Sequence, residues 1–109
     1  MPLYAWTMTL HEGREEEYDR RHREIWPDML ALLHAAGIRQ YSIFRDGRTV
    51  FGCFESADDA ATRAVLQASP VNTRWQAAMA PLVASAPDSP VGVTRRLTRA
   101  WDMPPPAGG

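Results

Sequence analysis

The sequence predicts an α+β domain in which strands and helices follow one another in the order βαββαβ. Three features of the chain lead to this prediction: short segments that alternate apolar and polar residues, longer segments with helical periodicity, and an Asp-Gly pair between the two middle strands. The length of 109 residues suits one domain, which we place at residues 1–103. The Pro- and Gly-rich residues 104–109 predict a disordered tail.

The first strand is predicted over residues 3–10, where every second side chain is large and apolar. That apolar face consists of Tyr4, Trp6, Met8 and Leu10. Alanine and threonine alternate with them, so the strand has one face suited to a core. The His-Glu-Gly run that follows predicts a turn.

A long helix is predicted over residues 14–36, which lack glycine and place oppositely charged residues four positions apart. Three glutamates near its start interact favourably with the positive end of the helix dipole. Pro27 is expected to kink or split this helix, because proline has no N–H and clashes with the preceding turn. Gly37 predicts the helix end, since glycine adopts the left-handed conformation freely.

A hairpin is predicted next, with strands over residues 38–45 and 49–55. Asp46-Gly47 lies between these strands and is a strong hairpin signal. The two strands are therefore expected to be antiparallel neighbours.

The second half of the chain is predicted to contain a split helical region and a last strand. Ser56 is expected to cap a helix that runs to about Ala68, where a Ser-Pro pair ends it. A further helical stretch is predicted over residues 71–83, followed by a loop over 84–90. A strand over residues 91–101 completes the order.

This order is typical of a ferredoxin-like domain, which has an antiparallel sheet with helices on one face. The other face of the sheet then needs a cover. A domain of this size buries a smaller share of its surface than a large one, and a second copy of the same sheet would provide that cover. We therefore expect a homodimer.

Charge and cysteine content limit the classes of partner. The net charge of −1, from 12 basic and 13 acidic residues, gives no basic excess for nucleic acid or an anionic membrane. Cys53 is the single cysteine, which excludes an intramolecular disulfide, and its apolar neighbours predict a buried side chain. The first ten residues do not resemble a signal peptide, and no segment has the roughly 20 apolar residues of a membrane span. We therefore expect a cytoplasmic protein.

Tyr18, His22 and Trp26 are spaced four residues apart and are predicted to lie along one side of the long helix. One interpretation is a core-facing stripe whose polar groups are merely satisfied. The other is a pocket for a polar, ring-shaped ligand, because aromatic faces pack on C–H surfaces while O–H and N groups bind hydroxyls. In that pocket His22 is the candidate acid–base group, since imidazole exchanges protons near neutral pH. We expect His11 and His34 to be structural or surface residues.

Other kinds of site have no support in the sequence. It contains no cysteine pair or His-Glu-x-x-His motif for a metal, and no glycine-rich loop before a helix for a phosphate. It also lacks the Gly-x-Ser-x-Gly motif of a serine nucleophile. We therefore predict a site that uses neither a metal nor a cofactor.

Residues 17–27 read EYDRRHREIWP and resemble the E-Y-x-x-R-H-x-x-I-W-P signature of the L-rhamnose mutarotase family. The likeness continues through the strand 37–43, Arg74-Trp75 and the loop 86–90, in the same order along nearly the whole chain. This resemblance implies a dimeric α/β barrel of ferredoxin-like subunits. It also implies an enzyme that interconverts the α and β anomers of a free deoxy-hexose.

The resemblance assigns roles to individual residues. The family's proton donor corresponds to His22, and its substrate-contacting tyrosines correspond to Tyr18 and Tyr41. Its first pocket tryptophan corresponds to Trp75, whereas Gln76 stands where the family has a second tryptophan. Because Gln76 is expected to contact the sugar, this departure concerns which sugar is bound.

The expected mechanism needs only proton transfer. His22 protonates the ring oxygen as the hemiacetal opens and takes the proton back as it closes. Trp26 either lines the pocket or supports His22. The loop 86–90 is one residue shorter than in the family, which again concerns the choice of sugar.

Two other functions stay open at this point. Cofactor-independent monooxygenases share the dimeric α/β barrel, and their substrates favour a more apolar pocket. A non-catalytic sugar-binding dimer would bind a monosaccharide without accelerating anomer exchange.

Overall fold

The computed structural model describes residues 2–84 and 95–107, and every structural statement below concerns those residues. Strands and helices follow the predicted βαββαβ order, with each helical region divided in two. The elements are β1 (Leu3–Thr9), α1 (Glu15–Arg23), α2 (Pro27–Ala35), β2 (Arg39–Asp46), β3 (Thr49–Glu55), α3 (Asp59–Ala68), α4 (Pro70–Met79) and β4 (Arg95–Arg96). A 3₁₀ turn over Ala80–Leu82 follows α4. None of these helices is long and apolar enough to cross a membrane.

The four strands form one antiparallel sheet in the order β2-β3-β1-β4. This is the ferredoxin-like arrangement, so the predicted fold class is confirmed. The hairpin between β2 and β3 turns at Gly47, whose φ of 58° lies in the left-handed region that glycine adopts at no steric cost. Gly37 ends α2 with a φ of 89°, as predicted.

The core lies between one face of the sheet and the helices. The predicted apolar face of β1 points inward: Trp6, Met8 and the adjoining Leu10 are buried. Helices α2 and α4 meet this face with buried Met29, Trp75 and Met79 among others. Among the residues that the structure describes, no helix packs on the opposite face of the sheet.

The predicted long helix is divided into two helices, which is one of the two outcomes expected at Pro27. Helix α1 ends at Arg23, and Pro27 is the first residue of α2. An N–H at that position makes no hydrogen bond within the helix, so proline is tolerated there. Trp26 is extended, with φ −61° and ψ 136°, as the residue before proline prefers. Trp26 therefore lies outside the helix that carries Tyr18 and His22, and the prediction of one helical stripe is wrong there.

The predicted cap of the next helix is also wrong. Asp58, not Ser56, caps α3, because its Oδ1 accepts a hydrogen bond from the Ala61 N–H at 3.1 Å. Ser56 is buried, and its Oγ lies 2.8 Å from Thr62 Oγ1. Ser56 Oγ also accepts from the Asp58 N–H at 3.2 Å, so the serine forms a local turn before the helix and does not cap it.

The last strand ends earlier than predicted. In the part of the chain that is described, β4 comprises Arg95–Arg96, and the Leu97 N–H still donates to the Ala5 carbonyl at 2.9 Å. The chain then leaves the sheet, so residues 98–101 of the predicted strand are not in it. Residues 85–94, which include most of the predicted loop and the start of the predicted strand, lie outside the described residues.

Cys53 faces away from the core. It lies on the uncovered face of the sheet and is half-buried, so the prediction of a fully buried side chain is not met in a single subunit. Its strand position explains the difference, because alternation along β3 places Phe54 in the core and Cys53 on the other side.

Candidate active site

A cavity of about 390 Å³ lies between the inner face of the sheet and the helices. That volume is in the range of pockets that hold small molecules. Most of its lining is apolar or aromatic, contributed by all four strands and by α1, α2, α3 and α4. Its polar lining residues are His22, Tyr41, Asn72, Gln76 and Arg96.

His22 lies in the last turn of α1 and lines this cavity. Its Nδ1 is 3.1 Å from the backbone carbonyl oxygen of Tyr18. Because a carbonyl oxygen only accepts, Nδ1 carries the proton in this contact. The neutral ring therefore has its lone pair on Nε2, and that nitrogen is the one that can accept a proton from a ligand.

The surroundings of His22 favour the neutral ring. Burial lowers the pKa of His22 below its ordinary value of 6.5, and the Tyr18 carbonyl and the Asp19 charge raise it in part. The lowering prevails, so the imidazole is a base at neutral pH. Asp19 is itself held by Arg45, which donates from Nε and Nη2 to its two oxygens at 2.9 and 2.7 Å.

Aromatic rings fix the position of His22 on two sides. The Tyr18 ring lies 4.3 Å from the imidazole, centroid to centroid, and the Trp75 ring meets it edge-on at 5.5 Å. Trp75, to which the family resemblance gives a place in the pocket, is buried and lines this cavity. Tyr18 is buried as well but is not among the lining residues, and burial raises the pKa of its phenol.

Trp26 lies one layer away from the cavity. Its ring meets Trp75 edge-on at 5.1 Å, and it lines a separate, smaller cleft with residues of α1 and α4. Of the two roles that the sequence leaves open for Trp26, this position favours support, since Trp26 contacts Trp75 and Trp75 in turn contacts His22.

Tyr41 lines the cavity from β2, directly after a bulge in that strand. Arg39 pairs with Glu55 and Ser42 with Cys53, so two residues of β2 lie opposite the single residue Phe54. Gln40 has a φ of 53°, an uncommon conformation for a residue other than glycine. The extra residue changes the alternation of the strand, and Tyr41 packs on the core side at 5.4 Å from the Phe54 ring.

The phenol of Tyr41 is set up to donate a hydrogen bond. Trp6 Nε1 donates to the Tyr41 oxygen at 2.9 Å, so the phenol proton is free for another acceptor. Burial raises the pKa of Tyr41 to about 12, opposed by the Trp6 hydrogen bond and the Arg96 charge. Tyr41 therefore stays neutral and protonated at the edge of the cavity.

Gln76 and Asn72 form an amide pair on α4. Gln76 Nε2 donates to Asn72 Oδ1 at 3.3 Å, and Asn72 Nδ2 donates to the Leu66 carbonyl at 3.1 Å. This orientation leaves the Gln76 carbonyl oxygen as an acceptor on the cavity wall. The sequence pointed to Gln76 but not to Asn72. Asn72 lies one helical turn before Gln76, and this spacing was the signal that could have found it.

Arg96 is the other polar lining residue that the sequence did not single out. It lies on β4 directly opposite Trp6 of β1, a pairing between distant parts of the chain. The alternation of apolar and basic residues near the end of the chain was the one available signal. Among the described residues, no group of three or more histidine, cysteine or acidic side chains could hold a metal ion.

Comparison with known proteins gives one consistent result. The family model described as L-rhamnose mutarotase matches residues 3–103. The chain is 44% identical to the L-rhamnose mutarotase of Agrobacterium fabrum over 104 residues, 93% of this chain and 94% of that protein. It is 45% identical to that of Rhizobium johnstonii over 91 residues, which covers 81% and 85% of the two chains.

Solved structures agree with the fold. The crystal structure of an L-rhamnose mutarotase from Formosa agariphila is similar with a TM-score of 0.78 and 29% identity, covering 95% of this chain and all of that one. Tetracenomycin F2 cyclase from Streptomyces glaucescens has a TM-score of 0.66 at 16% identity, covering 95% and 100% of the two chains. At that identity, the likeness to the cyclase concerns the fold alone.

Proposed function

The chain belongs to the L-rhamnose mutarotase family, and from this premise we propose that it interconverts the α and β anomers of L-rhamnose or a related 6-deoxy sugar in the cavity described above. It is then an isomerase that acts on a free monosaccharide. The observation that carries the site assignment is the position of His22, whose Nδ1 contacts the Tyr18 carbonyl while the residue lines the cavity.

Ring opening needs one proton removed and one delivered. In the proposed reaction, His22 Nε2 accepts the proton of the anomeric hydroxyl while the bond between C1 and the ring oxygen breaks. The electron pair of that bond stays on the ring oxygen, and the imidazolium returns its proton there. Rotation about C1–C2 then exposes the other face of the aldehyde, and the reverse steps close the ring as the other anomer.

The walls of the cavity hold the sugar for this reaction. Tyr41 donates its free phenol proton to a sugar oxygen, and Trp75 packs its ring on the C–H edge of the sugar. Tyr18 holds the imidazole in place by packing its ring against it and by accepting a hydrogen bond from Nδ1 with its backbone carbonyl. Trp26 packs against Trp75 in turn. The sugar contact that the family resemblance implies for Tyr18 stays a prediction, and the position of Tyr18 outside the lining favours support.

Gln76 bears on which sugar fits best. Its carbonyl oxygen offers an acceptor where an indole would offer only an apolar surface and one donor. We propose that this oxygen binds a sugar hydroxyl, with Asn72 fixing the amide. Rates of anomer exchange measured with L-rhamnose, L-fucose and L-mannose test this choice. L-fucose differs from L-rhamnose in ring stereochemistry, and L-mannose differs from it by a single hydroxyl at C6.

The proposed reaction is tested by exchange NMR on anomer mixtures. Saturation of the anomeric proton of one form reports transfer to the other within seconds, which uncatalysed mutarotation is too slow to show. We expect catalytic amounts of the protein to produce this transfer with L-rhamnose. Sugar-dependent chemical shifts without any transfer would instead support a binding protein, and oxygen uptake with a quinol would support a monooxygenase.

The activity is predicted to fall in acid at a pH below 6.5. Burial lowers the pKa of His22 from its ordinary value of 6.5, so the base form persists at neutral pH and is lost only as the pH falls through the lowered value. The measurement is kcat/KM for anomer exchange as a function of pH, which reports ionisation in the free enzyme.

Asp19→Asn provides the matched variant for this profile. The Asp19 charge raises the pKa of His22, so its removal should move the acid limb further toward low pH. An acid limb well above 6.5, or one that does not respond to Asp19→Asn, would contradict the assignment of the limb to His22.

We further propose that the protein is a homodimer, formed by the face of the sheet that carries no helix. Phe44 of β2 and Phe51 of β3 lie directly opposite each other on that face and are 65% and 40% exposed. Leu3 of β1 is exposed on the same face. Apolar side chains grouped on an unpartnered sheet face are typical of an interface. The cytoplasmic location that the sequence predicts stays a prediction.

Phe44→Asp is expected to convert the dimer into a monomer, because a carboxylate would have to be buried against the apolar face of the second copy. Sedimentation equilibrium of the purified proteins measures the change in mass. Val65→Asp serves as the control, since Val65 is similarly apolar and 41% exposed but lies on α3. A wild-type monomer, or equal dissociation in both variants, would contradict the proposed interface.

A further inference from the structure

Arg96 lies at the wall of the cavity in a position fixed by its neighbours. Its Nη1 and Nη2 donate to Oδ2 and Oδ1 of Asp59, each at 3.0 Å. Its guanidinium carbon lies 5.5 Å from the centre of the Tyr4 ring and 5.1 Å from that of Phe54. A guanidinium clamped by a bidentate carboxylate and stacked on two rings has little freedom left to lose when a ligand binds.

The carboxylate that holds Arg96 lies outside the cavity lining and is shared with a second arginine. Asp59 is not among the lining residues of the cavity, and it also pairs with Arg63, whose Nε lies 3.3 Å from Oδ2. Two arginines therefore share one carboxylate. Among the described residues, Arg96 is the one permanently charged side chain that lines the cavity, and no carboxylate lines it.

A neutral sugar alone does not require a cation in an apolar cavity. The proposed reaction does, because the sugar is anionic from the moment its anomeric proton moves to His22 until a proton reaches the ring oxygen. A fixed cation in a site that excludes water stabilises such a charge more than it stabilises the neutral ground state. The Arg96 charge already acts at this wall, since it lowers the pKa of Tyr41.

We propose that Arg96 is a further catalytic residue, which contacts the sugar and stabilises the negative charge on its oxygens while the ring opens and closes. This inference rests on the proposed mutarotase function and on His22 as the base. The guanidinium neither donates nor accepts a proton in the reaction. The proton leaves the anomeric hydroxyl, resides on His22 Nε2 and is delivered to the ring oxygen. Arg96 stays charged throughout.

The test compares Arg96→Gln, Arg96→Lys and Arg63→Gln by exchange NMR over a range of L-rhamnose concentrations. Arg96→Gln is expected to lower kcat by about 10- to 100-fold while KM changes less than about threefold, because the lost interaction belongs to the transition state. Arg96→Lys keeps a cation and should retain more of kcat. Arg63→Gln removes the other partner of Asp59 outside the cavity, and its kcat should stay within about twofold of wild type.

The alternative is that Arg96 only fixes β4 to α3. It predicts that Arg96→Gln and Arg63→Gln lower kcat to a similar extent, or that Arg96→Gln raises KM without changing kcat. Either result would overturn the proposal. If circular dichroism shows Arg96→Gln to be unfolded, the comparison of Arg96→Lys with Arg63→Gln decides, and equal kcat values overturn it. Absence of catalysed exchange in the wild-type protein would refute the proposed function itself, which is a separate outcome.

Discussion

His22→Asn is expected to lower the rate of catalysed anomer exchange by about 10²- to 10⁴-fold, the usual contribution of a positioned acid–base group. Asparagine places an amide nitrogen where His22 has Nδ1, so the contact with the Tyr18 carbonyl can be kept. It has no group in the position of Nε2 that exchanges protons. The variant therefore removes the chemistry and leaves the local packing largely in place.

The controls for His22→Asn separate catalysis from folding. His34→Gln changes an exposed histidine in the last turn of α2 and should leave the exchange rate unchanged. Thermal denaturation of both variants should resemble that of the wild type. Retention of wild-type exchange by a folded His22→Asn protein would remove His22 from the mechanism.

Gly52→Ala is expected to damage both stability and activity, because the Trp6 indole occupies the space that a side chain would need. A Cβ built on Gly52 would lie 2.0 Å from Cε2 of Trp6 and 2.2 Å from its Cζ2 and Nε1. The ring must move or the strands must separate, and overpacking of this kind costs about 1–3 kcal/mol. Urea denaturation measures that loss in the free energy of unfolding.

The same displacement should reach the active site. Trp6 Nε1 donates to Tyr41 at 2.9 Å, and a rotated indole no longer holds the phenol in the cavity wall. In a Trp6→Leu background the indole is absent, so adding Gly52→Ala is expected to cost less stability than it does in the wild type. Wild-type stability and activity in Gly52→Ala would show that the close packing of Trp6 on Gly52 does not matter.

Much of the fold could be predicted because local signals agree with the global arrangement. The alternation over β1, the Asp-Gly turn and the Ser-Pro break each correspond to an observed feature. The errors occur where long-range contacts decide. Ser56 has the chemistry of a cap, but its hydroxyl contacts the buried Thr62 and accepts from the Asp58 N–H, which leaves Asp58 as the cap; only the assembled fold shows this.

The active site was predictable in part for the same reason. The spacing of Tyr18 and His22 indicates that their rings meet, and the ring contact is observed. The spacing could not show that Tyr18 is buried beneath the imidazole, because burial depends on which helices cover it. Arg96 was missed because it reaches the cavity through its pairing with Trp6, ninety residues away in the chain, which no local pattern encodes.

The bulge in β2 is a further feature that the sequence did not reveal. Strict alternation would place Arg39 and Tyr41 on the same side of the sheet. The extra residue at Gln40 breaks that alternation, so Arg39 pairs with Glu55 on the uncovered face while Tyr41 and Ile43 share the cavity side. The likeness to a known family indicated Tyr41 as a sugar contact, whereas the strand pattern alone would have left its direction undetermined.

A crystal structure of the protein with L-rhamnose bound tests the central claim most directly. The account predicts the sugar between the sheet and the helices, with its anomeric or ring oxygen within about 3.2 Å of His22 Nε2, the reach of a hydrogen bond. A sugar seated elsewhere, or one in the cavity whose C1 lies on the side away from the imidazole, would contradict it.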